Sequence, residues 1–396
     1  MVDQRNRIFT IIFYLNFLYI LFYLYAQGFS VGGITVWYTD VIYVLLAVVY
    51  FNFTTKGGRV KTFGSMTIFL RLFVILIAFT TIISVILYGI TIIGKMRLYL
   101  PILLTIYSAS LLDIERSIKF FKTTIKMAVP AIAIALIILK PKIVWASGEL
   151  RFQYQILNAS SVFVICILTL FVIIFREIVY KKKISIWGII LYFIGIIIIQ
   201  QHRSTWLFLF VSLTTYIIIS NHFKHLKINR IFFQLGVVIL IALPIILLYK
   251  SDFNPLGVSL EKSLAFISNP EGDPTAEWRI LYFQDAIERI SNNLILGEGF
   301  KSNKIIYIND TATEASPHNM YLALLINYGL IGFLIFTFYM VSSIRKLYQK
   351  ILHNKDDIIK YSYYTFLISC FIGMIFYGLV YSFEPIMFLI FGLAEL

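Results

Sequence analysis

The chain has 396 residues, 60% of them hydrophobic and 14% charged, with a formal net charge of +14. Soluble domains carry about 25% charged and 45–50% apolar residues, so this composition excludes a soluble enzyme and a disordered chain. Continuous rather than alternating apolar runs exclude an outer-membrane barrel. The basic residues sit between apolar segments, as topology signals do, and not on one soluble face, so they do not indicate nucleic acid.

A helix needs roughly 20 apolar residues to cross the hydrocarbon. On that measure the sequence predicts an all-α polytopic membrane protein with about twelve transmembrane helices. They lie near 8–26, 34–53, 67–93, 97–112, 124–140, 159–180, 184–201, 204–220, 231–249, 319–342, 361–381 and 384–395. Three regions follow: 1–249 with spans one to nine, an extracytoplasmic loop over 250–317, and 318–396 with spans ten to twelve. The first run is too long for a cleavable signal peptide and no small-residue cleavage site follows it. Cys166 and Cys370 each lie inside an apolar run, which reads as packed thiols and not as a disulfide or metal site.

Lys and Arg favour cytoplasmic loops. With the N-terminus inside, inner segments hold Arg5, Arg7, Lys56, Arg59, Lys61, Arg116, Lys119, Lys122, Arg176 and Lys181 to Lys183. They also hold Lys224, Lys227, Arg230, Arg345, Lys346, Lys350, Lys355 and Lys360. Short outer loops hold Lys95, Arg97, Lys140, Lys142, Arg151 and Arg203. About twenty against six sets the orientation, places both termini in the cytoplasm and puts the 250–317 loop outside.

That loop carries Asp252, Glu261, Glu271, Asp273, Glu277, Asp285, Glu288, Glu298, Asp310 and Glu314, half of the 20 acidic residues. So long a loop is either ordered and functional or disordered, and periodicity argues for order. Ser259 is placed to cap a short amphipathic stretch ending near Ser268. Asp273 before Pro274 is a helix start, an N-cap ahead of proline at the first helical position. A helix over 274–292 places Ile280, Phe283, Ile287 and Ile290 on one face. Arg279, Tyr282, Ala286 and Arg289 lie along the neighbouring face. Gly297 and Gly299 permit a tight backbone around Glu298.

Charges at membrane depth need a partner or a water-filled cavity, so each is a functional candidate. Arg203, in the very short outer turn between spans seven and eight, reads either as an interfacial arginine snorkelling to water or as a fixed guanidinium for a phosphate. Asp40 and Arg71 are weaker candidates. His318 opens span ten behind Pro317; it is either structural or the imidazole suited to proton exchange near neutrality. No zinc spacing, Walker loop, Gly-x-Ser-x-Gly, His-Glu-x-x-His or Asp-x-Asp pair appears, and no metal site or cofactor is expected.

Three features resemble, in this order, the O-antigen ligase and polymerase superfamily of bacterial envelope glycosyltransferases. They are Arg203-Ser204, then Glu277-Trp278-Arg279 leading to Gly297-Glu298-Gly299, then His318-Asn319-Met320-Tyr321-Leu322 with Tyr328-Gly329-Leu330-Ile331-Gly332. The resemblance implies a GT-C type fold with one large, partly helical extracytoplasmic loop, in the bacterial inner membrane. It implies transfer of a glycan from an undecaprenyl-diphosphate donor to a glycan or lipid-linked glycan acceptor, without metal or cofactor. Membrane lipids and other polysaccharide-assembly membrane proteins are the further implied partners. Carried over by residue, Arg203 and Arg279 hold the diphosphate and His318 positions or deprotonates the acceptor hydroxyl. Arg289, Glu298, Asn319 and Tyr282 are substrate-binding candidates, and Arg289 reads equally as a surface charge. The activity expected is polymerisation of lipid-linked repeat units, with ligation to lipid A-core as the alternative. A flippase or transporter of lipid-linked glycan is a third reading, although two related halves and a charged central path are not evident, and a scaffold protein is a fourth.

Overall fold

The computed structural model describes residues 28–31, 34–37, 67–89, 112–138, 142–146, 149–153, 159–176, 178–180, 184–199, 202–223, 274–300, 305–308, 311–314, 319–381 and 385–395. Among these described residues there are nine helices. They are α1 (Ile68–Tyr88), α2 (Ile114–Ile138), α3 (Ala159–Phe175), α4 (Ile184–Ile199), α5 (Arg203–His222), α6 (Pro274–Asn292), α7 (Met320–His353), α8 (Ile358–Gly378) and α9 (Pro385–Ala394). α1, α5, α7 and α8 are long and apolar enough to cross a membrane, and α3 and α4 contain shorter apolar helices. The chain is an integral membrane protein built on helices.

Helices form on predicted spans three, six, seven, eight, ten, eleven and twelve. Span five begins earlier than its apolar run, at Ile114, because Asp113 Oδ1 accepts from Arg116 N at 2.7 Å and starts the helix on polar sequence. Spans one and nine lie outside the described residues, as do span four up to its last residue and most of span two. The first residues of span two are a strand instead. Three antiparallel hairpins amend the all-helical expectation: β1 (Gly28–Val31) with β2 (Ile34–Trp37), β3 (Lys142–Ala146) with β4 (Glu149–Gln153), and β5 (Ile305–Ile308) with β6 (Thr311–Glu314). Each register closes over two residues, which in sequence are Gly32-Gly33, Ser147-Gly148 and Asn309-Asp310. Two-residue connections of this composition are hairpin signals. All three fall in connections that the Lys/Arg distribution assigns to the outside.

α3 and α8 form the centre. In α3 every side chain from Ser161 to Val172 is buried, the pattern of a helix apolar on all sides and enclosed by others. Its one central hydroxyl is kept satisfied locally, Thr169 Oγ1 donating to Ile165 O at 2.7 Å. Between membrane helices packing replaces the hydrophobic drive, and here aromatic rings supply it. Phe121, Phe171, Phe175 and Phe366 interlock across α2, α3 and α8.

Ring contacts also fix helix direction. Phe208 near the start of α5 and Phe163 near the start of α3 meet Tyr377 at the end of α8. Phe223 beyond the end of α5 meets Tyr361 at the start of α8. Met320 N donates to Tyr381 O at 2.9 Å, so α7 starts where α8 ends. The beginnings of α3, α5 and α7 and the end of α8 therefore share one end of the bundle, called here the site end. The opposite end carries Arg345, Lys346, Lys350, Lys355 and Lys360 and is the basic end. There Glu395, buried, accepts from Thr67 N at 3.0 Å and Thr67 Oγ1 at 3.1 Å and lies 3.6 Å from Lys346 Nζ. This carboxylate satisfies a donor at the start of α1 that has no intrahelical partner.

Candidate functional site

α6 spans the residues that the sequence predicts, with Pro274 at its first position. Its packed face is the one carrying Tyr282 and Ala286, which are buried against Ile326 of α7 with Ile290 and Leu322 beside them. Phe283 and Ile287, the middle of the apolar stripe, are half exposed. The charges set this rotation. Arg289 pairs with Glu298 through its Nε and terminal nitrogen, and its other nitrogen lies 3.5 Å from Asp285 Oδ2. All three side chains are sheltered, at 12% exposure for Arg289, 6% for Glu298 and 8% for Asp285. A buried ion pair of this kind is tolerable only when both partners stay engaged, so α6 turns Asp285 and Arg289 inward and only one edge of its apolar stripe reaches α7. Burial pushes the Tyr282 phenol up from its ordinary value, with the Arg289 guanidinium opposing, so the hydroxyl beside the cluster stays protonated and able to donate.

The turn after α6 is built against a break in α7. Gly329 has φ 63° and ψ −165°, outside helical values, so the helix is interrupted nine residues after Met320. An interrupted helix leaves amides and carbonyls without partners, and at membrane depth other protein groups must satisfy them. The turn does so. Leu330 N donates to Leu294 O at 2.8 Å and Ile331 N to Ile295 O at 3.3 Å. In return Glu298 N donates to Ile326 O at 2.8 Å and Gly299 N to Asn327 O at 3.2 Å. The two backbones approach so closely that a Cβ on Gly297 would sit 2.5 Å from Gly329 N, and one on Gly329 would strike the Ile295 carbonyl. Gly297 and Gly299 both have positive φ, at 72° and 74°, the tight backbone that the sequence predicts around Glu298.

α1 completes the enclosure. Tyr88 Oη donates to Glu298 O at 3.0 Å, and Ser84 Oγ accepts from Phe300 N at 2.9 Å. The ring of Phe300 stands edge-on to Tyr328. The Gly-Glu-Gly turn and the Tyr-Gly-Leu-Ile-Gly block, thirty residues apart in sequence, are thus one structural unit held by α1.

At the head of α7, Asn319 is a helix cap. Its Oδ1 accepts from Tyr321 N at 2.9 Å and Leu322 N at 3.0 Å, while its Nδ2 donates to Leu379 O at 2.8 Å. One amide both caps α7 and fastens it to the end of α8. Arg203 is the first helical residue of α5 and Arg279 lies in the second turn of α6; their side chains lie outside the described residues. His318, Asp40 and the Ser259–Ser268 stretch also lie outside them. Arg71 is in the first turn of α1, near the basic end and remote from this unit.

The structure therefore brings Tyr282, Arg289 and Glu298 together and puts Asn319 at the same end of the bundle, where α5 begins with Arg203. Sequence reasoning missed Asp285, Ser84 and Tyr88. Asp285 was detectable as an acid four residues before Arg289 on one helix face. Ser84 and Tyr88 carried only the weak signal of polar groups within a turn or two of the end of an apolar run.

Residues 188–337 match a family model described as O-antigen ligase. The matched stretch contains Arg203-Ser204, all of α6, the Gly-Glu-Gly turn and α7 through its break, and it bears out the resemblance to the O-antigen ligase and polymerase superfamily. No curated protein matches the chain.

Proposed function

Proceeding from that superfamily, whose members are glycosyltransferase-like enzymes of lipid-linked glycans, we propose that this protein polymerises undecaprenyl-diphosphate-linked oligosaccharide repeat units into a surface polysaccharide. The carrying observation is that, within the matched segment, α6 and the turn after it are locked to the broken helix α7, whose first turn follows His318 in sequence. In this reading the fold is of GT-C type with about twelve spans, lies in the bacterial inner membrane, and has the basic end in the cytoplasm. The site end then faces the extracytoplasmic side.

The chemistry assigned to these residues is a displacement at the anomeric carbon. The acceptor hydroxyl forms the new glycosidic bond as the bond to the diphosphate breaks, and the electron pair leaves with undecaprenyl diphosphate. Arg203 and Arg279 carry the charge that gathers on that leaving group, a role in which fixed guanidinium groups are most effective. His318 receives the hydroxyl proton. Arg289 is engaged by Glu298 and Asp285, so we assign it to holding α6 in place, which fixes Arg279 nearly three turns earlier on the same helix. Asn319, the residue after His318, fixes the head of α7 by capping it and by fastening it to Leu379 at the end of α8.

The family description favours a second reading, ligation of the glycan to lipid A-core. One experiment separates polymerase from ligase: purified protein in lipid nanodiscs with an undecaprenyl-diphosphate-linked glycan, with and without lipid A-core. Longer lipid-linked glycans are expected. Glycosylated lipid A-core with no elongation would establish the ligase reading. Transbilayer movement of the donor in proteoliposomes with no new glycosidic bond would replace both with a flippase.

A further inference from the structure

The rotation of α6 leaves a surface that the ion pair does not explain. Phe283 and Ile287 are 51% exposed, and in the turn that follows Leu294, Ile295 and Leu296 are 49%, 65% and 61% exposed. A helix in water would turn such residues inward, and a contiguous exposed apolar patch marks an interaction surface. The exposed side of α6 is graded. Gln284 and Glu288, also exposed, lie about a third of a helical turn further around from Phe283 and Ile287, so one edge is apolar and the next is polar.

Three observations identify the occupant. The turn lies at membrane depth, since its backbone pairs with Ile326 to Ile331, two to three turns inside α7, and Phe300 N reaches Ser84, one turn inside α1. Both helices are long and apolar enough to span a bilayer. The patch also continues into their outward-facing surfaces: Leu330, Ile331 and Leu334 of α7 and Ile82, Ile86 and Leu87 of α1 are all exposed. Leu330 and Ile331 are the residues hydrogen-bonded to the turn.

We propose that the stretch Phe283–Leu296 is embedded in the bilayer leaflet at the site end, with lipid acyl chains packed on Phe283, Ile287, Leu294, Ile295 and Leu296 and the Gln284, Glu288 edge in the headgroup region. An interfacial amphipathic helix has this division of faces. Irregular backbone at that depth is permitted because α7 satisfies it. The inference stands on α1 and α7 spanning the membrane and on no catalytic role. It makes α6 a lipid-seated element and not part of a loop standing clear of the bilayer.

The test uses the unmodified full-length protein in nanodiscs containing a phospholipid with a photoactivatable diazirine in its acyl chain, followed by peptide mapping. Labelling within Phe283–Leu296 is expected at a level comparable to Ile82–Leu87 of α1. Labelling no higher than at Asp356-Asp357 would overturn the proposal. In a second measurement, Cys166 and Cys370 are replaced by alanine and nitroxides are placed singly at positions 283, 287, 295, 284 and 288. The first three should relax several-fold more with oxygen than with a water-soluble nickel chelate, and the last two should show the reverse. Positions 283, 287 and 295 closed to both agents would assign the patch to protein, such as a second copy of the chain, and all five open to the chelate would place α6 in water. Either result overturns the proposal, and neither bears on turnover.

Discussion

Two buried glutamates stabilise opposite ends of the bundle by different means. At the basic end Glu395 works through its side chain and over long range, joining the start of α1 at Thr67 and the last third of α7 at Lys346. At the site end the Glu298 side chain is occupied locally by Arg289, nine residues earlier, while the long-range links are made by its backbone N and O to Ile326 and Tyr88. The first arrangement needs only a buried acceptor side chain within reach of a helix start. The second needs glycines, because backbone can serve as the connector only where two main chains approach without Cβ atoms between them. A carboxylate clip of the first kind tolerates small shifts; a backbone clamp of the second kind fixes the register of α6 against α7, as the roles proposed for Arg279 and His318 would require.

The largest expected effect is at the site end. Arg289→Ala leaves Glu298 and Asp285 facing each other without a cation, and breaking a buried pair in this way costs about 4 kcal/mol. Thermal unfolding in detergent should show it, and Glu298→Gln combined with Asp285→Asn should restore part of the loss. Gly329→Ala comes next. It imposes a left-handed backbone on a residue with a Cβ and presses that atom onto the Ile295 carbonyl, at a combined cost of about 3 kcal/mol. Gly297→Ala disturbs the same approach, so the double variant should cost less than the sum of the two. Full additivity would mean that the glycines do not form one clamp.

The clamp was only half legible in sequence. Composition and run length gave the helices because a span must be continuously apolar, and α6 was located by the Asp-Pro start. Gly297 and Gly299 flanking Glu298 announced a tight turn. What they turn against was not legible, since no local pattern says that a glycine inside an apolar run breaks a helix: Gly188 and Gly195 of α4 do not, and Gly329 of α7 does. The hairpins are legible from their two-residue turns, Gly-Gly, Ser-Gly and Asn-Asp, of which the first and last lie between β-branched residues, but hydropathy alone does not separate such strands from the apolar runs beside them. Asn319 carries two signals in sequence, the substrate contact that the family resemblance implies and the N-cap that asparagine before an apolar helical run predicts, and the cap is the one with geometry behind it.

Glu395→Gln should cost less than either change at the site end, about 1–2 kcal/mol. The amide still accepts from Thr67 but loses the charge that strengthens those bonds and the attraction of Lys346. Lys346→Met should lie within about 1 kcal/mol of wild type, because its side chain is 35% exposed and the pair is screened by solvent. If Glu395→Gln unfolded the protein more readily than Arg289→Ala, the comparison between a tolerant clip and a demanding clamp would be reversed.

The smallest and most discriminating effect is expected from Asn319→Asp. Asparagine and aspartate are about equal as N-caps, so the carboxylate should keep the bonds from Tyr321 N and Leu322 N. It has no donor to replace Nδ2, and the link to Leu379 O, which ties α7 to the end of α8, is lost. One neutral hydrogen bond is worth about 1 kcal/mol, and Asn319→Ala, which loses the cap as well, should cost about twice that. If activity depends on how α8 holds the head of α7, and with it His318 one residue earlier in sequence, Asn319→Asp should lower turnover well beyond its effect on stability. If the cap alone matters, Asn319→Asp should turn over like wild type while Asn319→Ala does not. Measuring unfolding and turnover on both variants separates the two, because the cap and the clip are carried by different atoms of one side chain.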